Sequence, residues 1–186
     1  MKPAKLFIAL SIAASLSAVA HAQTSVTAKN SVSAKTGSAT TISKDDSARL
    51  IGIAQANMAE IETGKMALKK SSNADVKAFA QLMIDDHTKG LEETKKVAAA
   101  KQVTLPTEPD IAHQKLAAEL DALSGARFDE AYAKRAGVAG HANVHASLKK
   151  DISAVEDPDV KALATKLEPT VAHHLAMAKK LASAVK

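Results

Sequence analysis

No cysteine and no tryptophan occur anywhere in the 186 residues. Without thiols there is no disulfide framework, no thiolate metal site and no residue that could carry the lipid of a lipoprotein after a signal cleavage point. Aromatics amount to three phenylalanines and one tyrosine. A chain so poor in rings lacks the stacking platforms of single-stranded nucleic-acid binders and the anchors that dominate large obligate interfaces. Nucleophile-elbow, phosphate-loop and serine-triad patterns are missing as well. The longest apolar run, Leu6 to Val19, is shorter than the roughly 20 residues that span a bilayer.

That run has a different reading. Lys2 and Lys5 form a basic start before it, and Ala20-His21-Ala22 follows it as a small-x-small cleavage site, the layout of a secretory signal. Residues 1–22 are expected to be removed, with Gln23 as the mature start and the periplasm as destination. Losing two lysines lowers the formal net charge from +5 to +3. Lysines and acids are interspersed along the remainder, as on a solvated helical surface, so no nucleic-acid role is expected. No transmembrane segment remains after cleavage. An envelope protein or a weak homo-oligomer is the partner class left.

Residues 23–43 are rich in Ser, Thr, Ala and Lys without apolar periodicity and read as a flexible leader. From 44 onward the pattern is helical, and alanine, the best helix former, is the dominant apolar residue. Ser43 followed by Asp46 resembles an N-cap pair opening a helix over 44–70. Its expected inward stripe is Ile51, Ala54, Met58, Ile61, Lys65 and Leu68, which makes Glu62 the inward carboxylate and turns Glu60 outward. Ser71-Ser72-Asn73 breaks the pattern, and a second helix runs on to about Lys101. The prolines of Leu105-Pro-Thr-Glu-Pro109 mark a turn. A short helix over about 110–123 follows, then a long one over about 127–155. Asp157-Pro158 restarts the last helix, which runs to about Ala184. Four long amphipathic helices and one short one, joined by short turns, specify an all-α antiparallel bundle.

Each long helix carries a polar residue where an apolar one is expected: Glu62, His87, His141 with His145, and His174. His141 and His145 stand one turn apart on one face, a spacing that suits two imidazoles on one ion. His87, His174 or Glu62 could complete the set. Thiolate-free, imidazole-rich ligation suits a transition metal ion such as zinc, copper or iron. Alternatively these groups hydrogen-bond one another in the core and fix helix register. A di-iron centre would need Glu-x-x-His on two helices; the pattern is absent, and Asp110-Ile-Ala-His113 at a helix start is its nearest approach.

Four stretches carry a resemblance: Asn57-Met-Ala-Glu-Ile-Glu-Thr-Gly-Lys65, Val76-Lys-Ala-Phe-Ala-Gln-Leu-Met-Ile-Asp-Asp-His87, Phe128-Asp-Glu-Ala-Tyr132 with His141, and Leu167-Glu-Pro-Thr-Val-Ala-His-His-Leu175. With them the chain resembles domain-of-unknown-function family 4142, exported bacterial proteins similar to ferritin-like four-helix bundles. The resemblance implies export and the bundle, and brings no activity with it. The expectation is therefore a non-enzymatic envelope factor, in interaction or stress response, with an inward histidine cluster. The alternative is a metal-binding protein or a metal-dependent enzyme built on that cluster.

Overall fold

The computed structural model describes residues 42–185; the expected signal and nearly all of the expected leader lie outside them. Within these residues the chain is all-helical, with no strand. The helices are α1 (Lys44–Lys70), α2 (Ala74–Ala100), α3 (Ile111–Asp121), α4 (Gly125–Ala131), a π-helical stretch Tyr132–Gly140, α5 (His141–Ala154) and α6 (Pro158–Ala184). No helix among the described residues is long and apolar enough to cross a membrane.

The boundaries follow from local chemistry. Ser43 Oγ accepts the Asp46 N–H at 3.0 Å, Asn73 Oδ1 accepts those of Asp75 and Val76, and Asp157 Oδ1 accepts those of Asp159 and Val160. Each cap satisfies donors that the first helical turn leaves unpaired. The α1–α2 and α5–α6 connections are three residues each, so both pairs fold back as hairpins. α2 also packs on α6, and the π-helical stretch on both α6 and α1, which closes the bundle.

The inward face of α1 is offset from the expected one by one residue along the chain. Leu50, Ile53, Asn57, Gly64 and Ala67 are buried, whereas Lys65 and Glu62 are exposed. The physical reason is close approach. A Cβ on Gly64 would lie 2.9 Å from Ile84 Cγ1 and 3.1 Å from the Ala80 carbonyl oxygen, and one on Gly90 would lie 2.7 Å from Asn57 Oδ1. The helices meet along the small and polar residues, and bulkier Ile51, Met58 and Ile61 are left half-buried at the flank.

The long helix expected over 127–155 is wound differently over nine of its residues, Tyr132–Gly140. A π-helical turn bonds residue i to i+5 and takes up an extra residue, so the buried positions Phe128, Tyr132, Ala136, Gly137 and His141 are spaced more widely than in an α-helix.

Two apolar clusters fill the interior. One gathers Phe79, Met83, Phe128, Tyr132, Ala178 and Leu181, with the Phe128 and Tyr132 rings stacked at 5.9 Å. The other gathers Leu50, Ile53, Leu148, Val155, Val160 and Leu163. In the chain order of α1, α2 and α6, Asn57, His87 and His174 fall between the residues of the two clusters. A polar layer thus divides the core.

Candidate metal centre

Three histidines from three elements meet in that layer. His87 on α2, His141 at the start of α5 and His174 on α6 are all buried, with 7%, 1% and 0% of their surface exposed. Their ring centroids form a nearly equilateral triangle with sides of 5.6, 5.3 and 5.4 Å. One nitrogen from each ring lies within 4.8 Å of the others. A point within about 2.8 Å of all three therefore exists, and a contraction of under about 1 Å reaches the 2.0–2.1 Å of a Zn–N bond.

The other nitrogen of each ring is tied down from outside. His87 Nδ1–H donates to Asn57 Oδ1 at 2.9 Å, and the orientation of that amide is fixed because its Nδ2 donates to the Ile53 carbonyl at 2.8 Å. His141 Nδ1–H donates to the Gly137 carbonyl at 2.9 Å, with the Ala136 carbonyl at 3.3 Å. His174 Nε2–H donates to Asp86 Oδ2 at 3.2 Å. Every partner is an acceptor, so each outer nitrogen carries a proton, and in the neutral form of each ring the inner nitrogen presents a bare lone pair. The inner nitrogens, His87 Nε2, His141 Nε2 and His174 Nδ1, are buried and have no hydrogen-bond partner among the described residues.

A family model matches residues 31–181. The chain belongs to the family described as "Domain of unknown function (DUF4142)". No curated protein and no solved structure matches it.

Around the triad of this DUF4142 protein the electrostatics favour uncharged rings at His87 and His174. Burial, reinforced by the neighbouring His141 and His174, lowers the His87 pKa to about 3. Burial also lowers that of His174, against the pull of Asp86. Burial alone would raise Asp86, but hydrogen bonds from Lys89 and His174 outweigh it and leave the carboxyl below its usual range. Glu60 is raised by burial, opposed by His141 and His113. Three buried nitrogens without a partner among the described residues thus converge, and a cation bound through their lone pairs is a species that would relieve them.

Two expected members of the cluster lie elsewhere. Glu62 is exposed and lines a surface groove with Glu108 and Asp121, because the inward face of α1 is offset as described above. His145 sits one turn beyond His141 but is quarter-exposed, and its Nε2 meets Glu168 Oε1 at 2.6 Å. The rise of one turn carries it out of the layer toward α6. The carboxylate that does face the layer is Glu60, whose Oε1 lies 3.7 Å from His141 Nδ1. Asp85 and Asp86 separate: Asp85 is exposed, accepting from Gln81, while Asp86 turns in to orient His174. Asn57 and Glu60 are the positions lining the layer that the sequence pattern did not single out. Their signal lay in a seven-residue spacing, Asp46, Ile53, Glu60, Ala67 with Leu50, Asn57, Gly64, which is a packed-helix seam occupied by polar and small residues.

Proposed function

We propose that this DUF4142 protein is a transition-metal-binding bundle of ferritin-like antiparallel four-helix design. Its ion is held by His87, His141 and His174. The reading includes export by the amino-terminal signal and work in the periplasm, which the residues of the first 22 positions support. The observation that carries the metal reading is the convergence of three buried, unpartnered imidazole nitrogens on rings whose outer nitrogens each meet an acceptor. Histidine ligands of metal sites are oriented in just this way, by a carbonyl or carboxylate on the far nitrogen. A structural hydrogen-bond network accounts for the outer contacts with Asn57, Gly137 and Asp86 but leaves the inner three nitrogens without a partner among the described residues. Neutral imidazoles without thiolates suit zinc, copper, nickel or ferrous iron.

The test is elemental analysis of the chain from Gln23 to Lys186, purified untagged from the periplasmic fraction, beside His141→Ala and His174→Ala. About one equivalent of a transition metal in the parent and none in either variant is expected. A metal-free parent whose unfolding midpoint is unmoved by zinc, copper or iron would overturn the reading. Recovery of the full-length precursor in the cytoplasmic fraction alone would overturn export.

A further inference from the structure

The three histidines approach their common point from α2, α5 and α6, and the side toward α1 supplies no nitrogen. α1 nevertheless faces that point. Asn57 is engaged on His87, and Glu60 brings in a carboxyl that is 12% exposed, with Oε2 buried and lacking a hydrogen-bond partner among the described residues. Glu60 and the histidines share a cavity of 40 Å³. A site needs about 10–15 Å³ for one water, so this space takes a ligand of two or three heavy atoms. The cavity wall includes Ile53, Ala56, Val144 and Leu148. The same four residues line a surface groove of 530 Å³ between α1, α3 and α5, so the wall there is one side-chain layer thick.

Resting on the metal reading above, we propose that a cation at the triad keeps one coordination position open toward α1. This position takes a single small inorganic ligand, water at rest and a linear triatomic anion or a diatomic in its place, within the cavity that Glu60 also lines. Three imidazoles and one exchangeable ligand make the open tetrahedral set that distinguishes a working metal site from a sealed structural one. Glu60 Oε2 is a buried, unpartnered acceptor in the same cavity, on hand for the resting water and given up when an anion displaces that water, and the apolar wall sets the size limit. Entry is from the groove, past Ala56, the smallest of the four wall residues.

The test uses the chain loaded with Co(II), whose visible bands report coordination. Sodium azide is the small probe and 4-methylimidazole the oversized one. Azide is expected to shift the bands saturably, and 4-methylimidazole to leave them unchanged at equal concentration. Ala56→Leu, which extends a side chain into the wall, should keep one equivalent of cobalt and weaken azide at least tenfold. Glu60→Gln should keep the cobalt and change azide affinity at least threefold. Bands indifferent to azide in the loaded parent would mean a closed site and overturn the proposal, whatever the fate of either variant. Loss of cobalt from Glu60→Gln would make Glu60 a ligand instead and overturn it as well. A parent that takes up no cobalt fails before azide is added, and that result counts against the metal reading itself.

Discussion

Replacing His174 with leucine separates the metal site from a structural network by the sign of the effect. In the metal-free protein His174 Nδ1 is a buried acceptor without a partner among the described residues, a situation unfavourable by about 1–3 kcal/mol. The bond that leucine removes, from Nε2 to Asp86, is 3.2 Å long and ends on a carboxylate about one quarter exposed. Water can replace it, so the loss is roughly 1 kcal/mol. Leucine replaces an imidazole that is itself fully buried, so the added apolar burial is only the difference between the two side chains, about 0–1 kcal/mol. The sum favours the metal-free variant by about 0–3 kcal/mol, centred on about 1–2 kcal/mol, which is roughly 2–8 °C in a domain of this size. With zinc at about 100 times its Kd the parent gains about 2.7 kcal/mol and the variant nothing, so their order reverses. Thermal unfolding followed by circular dichroism at 222 nm, in chelator and then in zinc, reads both arms; the absence of tryptophan makes intrinsic fluorescence a poor probe. A chelated variant less stable than its parent by more than about 1 kcal/mol, with zinc moving neither protein, would refute the reasoning.

Three further outcomes follow from the same geometry. Gly90→Ala places a Cβ 2.7 Å from Asn57 Oδ1; the amide must swing away from His87, and metal affinity should fall by about 10–100-fold, read by competition with a chromogenic chelator. His87, at a pKa of about 3 in the fold and about 6.5 when unfolded, binds its proton more readily in the unfolded chain. Its contribution is therefore complete above about pH 6.5 and is lost as pH falls toward 3, at about 1.4 kcal/mol per pH unit. Urea midpoints of the metal-free protein must drop between pH 7 and 5, and a constant midpoint would contradict this. Glu62→Ala and His145→Ala, which alter groups outside the triad, should leave metal affinity within about twofold, and a tenfold loss by calorimetry would return those residues to the site.

Much of the architecture was legible because it rests on local chemistry. Ser43, Asn73 and Asp157 cap helices where side-chain acceptors precede periodic segments, and the ranges read for α1 and α6 coincide with those observed. His87, His141 and His174 were legible as inward because each interrupts an otherwise apolar face. The face of α1 was not, since hydrophobicity favours Met58 and Ile61 while packing favours whatever lets two backbones approach. Gly64 on α1 and Gly90 on α2 decide that contest, and Asn57 and Glu60 enter with them. The π-helical winding was illegible for another reason. Tyr132-Ala-Lys-Arg-Ala-Gly-Val-Ala-Gly140 is built mostly of alanine and glycine, whose small side chains fit either ladder, so tertiary contact chooses between them. His141 against His145 turns on that choice: equal by spacing, they are separated by which turn reaches the polar layer.

The wound-out stretch Tyr132–Gly140 has a bearing on how occupancy of the triad is felt elsewhere. An i→i+5 ladder is rarely the favoured winding of a peptide, and here two of its carbonyls, those of Ala136 and Gly137, are held by the ring of His141. The far nitrogen of that ring is the one aimed at the triad's centre. The winding of nine residues and the aim of His141 Nε2 are therefore coupled. On the proposed metal reading, a substitution that relaxes the stretch to ordinary α-helix should weaken the ion, and by reciprocity a bound ion should favour the unusual winding.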